Sequence, residues 1–501
     1  MRATGTPRMA GGLRLSQPAG RWVVVATALG AGLVLLETTV LNVALPDIAR
    51  DLGIGMAGMQ WTVNAFALAL SGLILVGGAL GDRYGRRRIY LVGLALFAIG
   101  SLLGGLASSI GWLVAARALQ GVGGALLVPG SLALIQAAFH PADRARAVGA
   151  WSGMSGMAGA AGPLLGGAVV DVAGWRWVFW LNVPIAAVVA ALVIRHVPET
   201  RDEAVPGRFD VAGAALAAIG LGALTYSLTD ASGGGSLAGA TAVIGMLAMV
   251  VFVLVERRAA APMLPLGLFS VREFSAANLA SLCLYGAVAG QFFLLPIQLQ
   301  ITAGYSPLAA GMALLPITAV VLVLSPRTGA LVTRAGPRIP LTVGSVVCAI
   351  AALLMVRIGP HASYVPDVLP AVVAAGLGIS AITAPISVTV LSAVPDSRAG
   401  LASGVNNGVA RAAGLLVVAA LPVLANLPQD ATHSPGALDR GFDVSMLACA
   451  GLFLLGAVVA WCGIGRSGQL AEPAHHQHCT LTAPPLEPAP CFATQIPHHG
   501  S

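Results

Sequence analysis

The chain has 501 residues, of which 57% are hydrophobic and only 9% are charged. Soluble domains carry roughly 25% charged residues, so this composition excludes an ordinary soluble protein and favours one that lies mostly within a lipid bilayer. The formal net charge of +7 would suit a nucleic-acid partner. The positions of the arginines favour membrane topology as its cause instead, and no nucleic-acid partner is expected.

Apolar runs separated by polar breaks predict fourteen membrane-spanning helices. A helix needs about 20 mainly apolar residues to cross the hydrocarbon core. The first six runs are residues 22–42, 59–80, 89–109, 112–133, 147–170 and 178–197. Two follow at 211–229 and 237–255, and six more lie at 276–299, 307–324, 339–356, 368–391, 401–425 and 444–464. No small-residue cleavage site follows the first run, so we interpret it as a retained span rather than a signal peptide.

The arginines orient these spans. If both chain termini lie on one side, 21 arginines fall on that side, 4 fall on the other, and Arg117 and Arg411 lie within spans. Basic residues accumulate in cytoplasmic loops, so both termini are predicted to be cytoplasmic. Nearly all acids lie in loops or at span ends; Glu37, near the middle of the first span, is the exception.

A loop motif after the second span recurs later in the chain. The sequence G-A-L-G-D-R-Y-G-R-R at 78–87 has a degenerate copy, G-A-L-V-T-R-A-G-P-R, at 329–338. The offset is 251 residues, and both copies fall on the cytoplasmic side. Spans one to six and nine to fourteen are therefore predicted to be parallel repeats, an arrangement known in transporters. Thr333 replaces Asp82 in the second copy, so the two halves are not expected to work identically.

This repeat divides the chain into seven predicted segments. They are a cytoplasmic N-terminal segment (1–21), an N-terminal six-helix bundle (22–197), a cytoplasmic linker (198–210), a two-helix insert (211–256), a second cytoplasmic linker (257–275), a C-terminal six-helix bundle (276–464) and a disordered cytoplasmic tail (465–501). The tail contains histidines and Cys479, but a metal site is not the favoured interpretation, and the six cysteines show no disulfide or zinc spacing.

Six motifs occur in chain order at the expected spans. They are L-E-T-T-V-L-N-V-A-L-P at 36–46, the loop motif at 78–87, Arg117 with Gln120 and Gly121 in 113–121, G-P-L-L-G-G at 162–167, W-R-W-V-F at 175–179 with N-V-P at 182–184, and A-S-G-V-N-N at 402–407 followed by Arg411. With these motifs the chain resembles the fourteen-span drug:proton antiporter family of the major facilitator superfamily. Glu37 stands where that family usually has aspartate, and Ala158 replaces the leading glycine of its antiporter motif.

The resemblance implies a major facilitator fold and a function. It implies a proton-coupled secondary transporter that exports small hydrophobic or amphipathic compounds, such as drugs and antibiotics, from a bacterial cell across the cytoplasmic membrane. The alternative is a dedicated exporter of one endogenous antibiotic or metabolite. The chain contains no phosphate-binding loop, so neither ATP nor another cofactor is expected. The expected partners are the substrate, protons and the lipid bilayer; an enzyme activity is not expected, and a monomer is.

Glu37 and Arg117 are the predicted proton-coupling residues. An ionisable group in the middle of a span is costly unless it faces a cavity or a partner. Glu37 is predicted to carry the proton, or to meet a cationic substrate, and the resemblance links Arg117 to coupling. The alternative for both is an ion pair that only holds helices together.

The remaining candidates fall into three groups. The loop motif is predicted to gate the cytoplasmic face, or only to anchor topology, through Gly78, Asp82, Arg83, Gly85 and Arg86, with Arg144 as a partner for Asp82. The antiporter motif is predicted to kink the fifth span and pack it closely, through Gly162, Pro163, Gly166 and Gly167. The substrate-cavity candidates are Asn42, Gln120, Gln291, Phe292, Asn406, Asn407 and Arg411. Helix-to-helix bonding is the alternative for the polar residues of span thirteen.

Overall fold

The computed structural model describes residues 13–201, 211–231, 237–259, 264–395, 398–431 and 434–465. Within them, fourteen helices are long and apolar enough to cross a membrane, which confirms the predicted number of spans. The predictions for the tail after residue 465 lie outside the described residues, as do those for most of the first linker and of segment 1–21.

We number the spans α1 to α14. The first eight are α1 Pro18–Leu52, α2 Met56–Tyr84, α3 Arg86–Gly105, α4 Ile110–Ala138, α5 Pro141–Ala173, α6 Arg176–Trp180 with Asn182–His196, α7 Val211–Ala231 and α8 Ala238–Arg258. The last six are α9 Arg272–Ile297, α10 Pro307–Ala313 with Leu315–Ala335, α11 Arg338–Met355, α12 Leu369–Ser392, α13 Ala399–Leu424 and α14 Pro435–Gly463. A 3₁₀ turn (Leu266–Ser270) precedes α9. One π-helical turn extends α9 (Gln298–Thr302), and another precedes α12 (Tyr364–Val368).

Most helices extend beyond the apolar runs that predicted them. The first apolar run ends at residue 42, but α1 continues to Leu52. Its additional turns carry an ion pair between Asp47 and Arg50, three residues apart on the helix surface. The backbone ladder needs no apolar side chains, so the helix continues into the interface until Gly53, with φ of 63°, ends it.

Helix packing follows the predicted repeat. In the first half α1 packs on α5, α2 on α4, and α3 on α4. The same pairs recur eight helices later, where α9 packs on α13, α10 on α12, and α11 on α12. The inserted helices α7 and α8 pack on each other, and α7 also contacts α2 and α13.

Both copies of the loop motif end their helix at a glycine with positive φ. Gly85 ends α2 with φ of 109°, and its N–H donates to Gly81 O at 3.1 Å. Gly336, 251 residues later, ends α10 with φ of 73°, and its N–H donates to Val332 O at 3.0 Å. Positive φ favours glycine, so the repeat preserves the residue that each turn requires.

The first six and last six helices meet at their outer ends. Gln60 of α2 donates to Val418 O of α13 at 2.8 Å, and Gln300, just after α9, donates to Val43 O of α1 at 2.8 Å. In the predicted topology, both contacts lie on the extracellular side. The structure is therefore closed on that side.

In the predicted topology, the cytoplasmic halves of α5 and α13 have surfaces that pack less closely. A Cβ added to Gly153 or Gly156 in the inner half of α5 would meet no atom within 4 Å. The same holds for Gly400 and Gly408 in the inner half of α13. These surfaces lack the contacts that α5 and α13 make farther out.

Candidate functional site

A buried ion pair lies at the centre of the first six helices. Arg117 Nη1 of α4 donates to Glu37 Oε1 of α1 at 2.5 Å, and each side chain is only 1% exposed. The other carboxylate oxygen, Glu37 Oε2, accepts from Asn182 Nδ2 of α6 at 2.5 Å. Both carboxylate oxygens therefore have donors, as a buried charge requires.

A second layer of hydrogen bonds holds the arginine in place. Arg117 Nη1 also donates to Gln120 Oε1 at 2.7 Å, and Arg117 Nε donates to Thr62 O of α2 at 3.0 Å. Gln120 Nε2 donates to Ser101 Oγ of α3 at 2.7 Å. The Arg117 guanidinium lies 4.5 Å from the centre of the Phe66 ring. The network joins α1, α2, α3, α4 and α6.

Some of these partners were missing from the sequence prediction. Asn182 belongs to the N-V-P motif and is a polar residue within the apolar run 178–197, a signal that could have marked it as a buried polar group. Thr62 contributes only its backbone carbonyl, and Ser101 is one of several serines near span ends. Neither carries a sequence signal.

A central cavity of about 220 Å³ lies between the two halves. Its walls come from α1, α2 and α4 on one side and from α9 and α13 on the other. The polar side chains among its lining residues are Thr38, Asn42, Asn64, Arg117 and Arg411. Arg117 lines the cavity, whereas Glu37 lies behind it, so a direct contact between Glu37 and a substrate is not part of this arrangement.

The cavity contains some of the predicted substrate residues but not all of them. Asn42, Phe292 and Arg411 line it. Gln120 belongs to the ion-pair network instead, and Gln291 is buried with its Nε2 unpaired.

The other two candidates, Asn406 and Asn407, lie nearer the N-terminal end of α13, beside a second cavity of about 160 Å³. Asn406 donates to Ser281 Oγ of α9 at 2.7 Å and to Asn278 Oδ1 at 3.3 Å. Asn407 is exposed and donates to Ser403 O of its own helix. Asn406 thus makes the helix-to-helix bond that was the alternative interpretation.

The antiporter motif packs on both halves of the molecule. A Cβ on Gly162 would overlap the Thr39 hydroxyl of α1, and one on Gly166 would lie 3.0 Å from Val40 Cα. On the other face, a Cβ on Gly167 would lie 2.5 Å from Pro307 O of α10. The glycines therefore bring α5 close to α1 beside Glu37 and close to α10 across the halves.

Pro163 frees an acceptor that α1 uses. Proline lacks the N–H that would donate to the carbonyl four residues earlier, which here is Gly159 O. The Thr39 hydroxyl of α1 lies 3.1 Å from this oxygen and 3.0 Å from Leu36 O of its own helix, so its proton is shared between the two acceptors. Val418 O, the acceptor of the Gln60 bond, is freed in the same way by Pro422 of α13.

The loop motif is held within the first half. Asp82 accepts from Arg86 at 2.7 and 2.8 Å. Arg83 is exposed and lies 5.6 Å from the Tyr84 ring, and Gly78 faces Pro129 of α4.

The predicted pairing of Asp82 with Arg144 is not present. Arg144 is exposed and donates to Phe139 O at 3.1 Å. The turn at Gly85 brings Arg86 back over Asp82, so the nearer cation takes the carboxylate.

Glu199, which the sequence did not single out, fixes the start of α3. Its carboxylate accepts from the N–H groups of Arg87 at 3.0 Å and Arg88 at 3.2 Å. A carboxylate at a helix N-terminus pairs with free N–H groups and with the positive end of the helix dipole. The loop motif is thus tied to the segment after α6.

The W-R-W motif has a comparable role at the outer side. Trp175 Nε1 and Arg176 Nη1 donate to Asp51 Oδ2 at 3.0 and 2.6 Å. These bonds join the start of α6 to the end of α1. Among the described residues, no group of three or more potential metal ligands occurs.

Comparisons with known proteins agree with this architecture. The sequence pattern of the Major Facilitator Superfamily matches residues 27–419. The multidrug resistance protein Stp of Mycobacterium tuberculosis is 38% identical over 387 residues, which cover 76% of this chain and 71% of Stp. The puromycin resistance protein pur8 of Streptomyces alboniger is 36% identical over 483 residues, covering 92% and 95%. The tetracenomycin C resistance and export protein of Streptomyces glaucescens is 34% identical over 450 residues, covering 85% and 83%.

Solved structures of transporters share the fold. A bacterial homologue of the human lysosomal transporter Spinster, in an inward-facing and unoccupied conformation, superposes with a TM-score of 0.65 at 18% identity, covering 89% of this chain and 97% of its own. The POT family transporter PepTSo gives a TM-score of 0.65 at 15% identity, covering 88% and 96%. At these identities the likeness concerns the fold alone.

Proposed function

The chain belongs to the Major Facilitator Superfamily, and on that premise we propose that it exports small hydrophobic or amphipathic compounds in exchange for protons. The relatives are resistance and export proteins for drugs and antibiotics. The observation that carries the proposal is the buried Glu37–Arg117 pair, whose arginine lines the central cavity. It connects a group that can bind a proton to the space where a substrate would bind.

Alternating access is the transport mechanism that we propose. The six-helix bundles move against each other around the central cavity, so that it opens to one side at a time. The contacts at Gln60 and Gln300 close the outer side, and the unpacked inner halves of α5 and α13 correspond to access from the cytoplasm. This is the state that would take up substrate from inside the cell.

Protonation of Glu37 is the coupling step in this proposal. A neutral carboxyl group no longer holds the Arg117 charge, so Arg117 Nη1 is released from its ion pair while it lines the cavity wall. A change in protonation is thereby transmitted to the cavity although Glu37 is not on its surface. We propose that Glu37 binds a proton from outside when substrate leaves and releases it inside.

The energetics are sufficient without ATP. One charge that moves across 100 mV yields about 2.3 kcal/mol, and each tenfold concentration ratio requires about 1.4 kcal/mol. One proton per cycle therefore sustains roughly a fifty-fold substrate gradient from the potential alone. We propose a monomer in the bacterial cytoplasmic membrane with both termini in the cytoplasm and no cofactor.

A direct test measures proton-driven transport with the full chain in inverted membrane vesicles. Glu37→Gln keeps the size of the side chain but cannot bind and release a proton, so uptake driven by an imposed pH gradient should be lost. Glu37→Asp is the matched control, because it retains a carboxylate and should retain part of the uptake. If Glu37→Gln transports at the wild-type rate, the coupling role is wrong.

A resistance panel in a host that lacks its own pumps separates the two forms of the function. Protection against several unrelated drugs, among them puromycin, would support multidrug export. Protection against a single compound would identify the dedicated exporter. A chain that is present in the membrane and protects against nothing would contradict drug export.

A further inference from the structure

The wall of the central cavity carries an uncompensated positive charge. Arg117 is neutralised by Glu37 behind it. Arg411 also lines the cavity, yet its Nε is shielded from solvent and has no hydrogen-bond partner. No ion pair or hydrogen bond of Arg411 occurs among the described residues.

In the described helices that line the cavity, no other carboxylate is placed to balance Arg411. Apart from Glu37, the acidic residues of the five helices that line the cavity lie toward the helix ends, at Asp47, Asp51, Asp82 and Glu273. The described portion of the cavity wall therefore has one excess cation, held by α13.

Further unpaired polar atoms surround the same space. Neither atom of the buried Asn64 amide has a partner, and Asn42 Oδ1 also lacks one. Buried polar atoms are nearly always hydrogen-bonded, so these positions are suited to pair with a ligand. Phe292 and Phe293 supply flat apolar surface to the same wall.

We propose that this cavity selects planar, largely apolar compounds that present acceptor oxygens to Arg411, and that it discriminates against cations. A carbonyl, phenolate or carboxylate oxygen gains a charge-assisted hydrogen bond from a guanidinium. An organic cation is repelled by the same group in a setting of low dielectric constant. This proposal names the substrate class of the proposed exporter. Its statement about transported compounds rests on the proposed function, whereas its statement about the charge of the cavity does not.

The electrostatic part is testable without a known substrate. Cysteine is introduced at Ala410, which lines the cavity beside Arg411, in a full-length chain with serine at Cys462, Cys479 and Cys491. Its rate of modification is measured with two methanethiosulfonate reagents of similar size, one with a sulfonate and one with a trimethylammonium group. The ratio of the anionic to the cationic rate reports the local potential.

We expect this ratio to exceed that of a reference cysteine at Val172, which is 87% exposed at the outer end of α5. Arg411→Gln should lower the ratio about tenfold, because the lost charge acts on the two reagents with opposite sign. Arg411→Lys should keep it. A ratio below the reference, or one that Arg411→Gln leaves unchanged, would overturn the proposal. If Arg411→Gln does not fold, the Ala410→Cys ratio and the lysine variant still decide.

Substrate selectivity is tested with two xanthene dyes of the same ring system, anionic fluorescein and cationic rhodamine 123. Export of fluorescein in preference to rhodamine 123, with loss of that preference in Arg411→Gln, is the expected result. Preferential export of rhodamine 123 would overturn the substrate class while leaving the exporter function intact. No export of any compound, together with a high anionic rate ratio, would contradict the exporter function and leave the charge of the cavity established.

Discussion

The bond from Gln60 to α13 offers a measurable test of how the outer side is held closed. Gln60 Nε2 donates to Val418 O at 2.8 Å and to Ala419 O at 3.1 Å. Pro422 has no N–H for Val418 O, so the glutamine supplies the donor that α13 lacks. Gln60→Leu should therefore favour opening of the outer side.

The expected change in the opening equilibrium depends on whether Val418 O has a hydrogen-bond donor. A buried acceptor without a donor costs about 1–3 kcal/mol, whereas an opened gate lets the same carbonyl reach water. Gln60→Leu should thus shift the equilibrium toward the open state by about 1.4 kcal/mol, or about tenfold. In a Pro422→Ala background the alanine N–H can pair with Val418 O within the helix. The same Gln60→Leu change should then cost less than half as much.

Spin labels at Val172 and Leu424 provide the assay, since both side chains are well exposed at the outer ends of α5 and α13. Double electron–electron resonance measures the distance between the two labels, and so gives the fraction of molecules in which the outer side is open. The double-mutant cycle compares four proteins: the wild type, Gln60→Leu, Pro422→Ala and the double variant. If Gln60→Leu shifts the equilibrium equally with proline and with alanine at position 422, the freed Val418 carbonyl is not the cause of the effect. If Gln60→Leu shifts the equilibrium in neither background, the Gln60 bond does not hold the outer side closed.

Three further outcomes are expected. Thr39→Val removes the donor to Gly159 O and should lower the free energy of unfolding in detergent by about 1 kcal/mol, whereas Thr39→Ser should not; equal thermal midpoints for the two would contradict this. Gly311→Val should abolish transport, because its side chain would meet α5, while Gly153→Val should retain it; the check is drug uptake at matched expression. Glu199→Gln removes the charge at the start of α3 and one of the two oxygens that accept from Arg87 and Arg88, and should destabilise the protein by at least about 0.3–1 kcal/mol, measured in the same thermal assay.

The number of spans, their order and their repeat could be predicted from the sequence because each depends on local composition. A 20-residue apolar run in a bilayer can form little other than a helix, because all backbone groups must be hydrogen-bonded. The loop motif is long enough for its second copy to be recognised in the sequence. The positions of Glu37 and Arg117 were visible for the same reason, since charge within a span is rare. Their direct contact was not visible, because it depends on how α1 and α4 are rotated about their axes.

The partners of these groups were harder to predict. Asp82 has several arginines nearby in sequence, and only the turn at Gly85 decides that Arg86 rather than Arg144 reaches it. Glu199 lies more than one hundred residues from the helix that it caps. Thr39 and Gln60 bind to backbone oxygens, whose availability depends on prolines in other helices. Such contacts leave no periodic signal in the chain.

The two charged groups at the central cavity belong to different halves of the molecule. Glu37 is held by helices of the first half, whereas Arg411 is carried by α13 of the second. Any rocking of one half against the other changes the distance between them, and with it their mutual electrostatic energy. In the proposed mechanism, the effect of a bound oxygen anion on the proton affinity of Glu37 therefore differs between the states of the transport cycle.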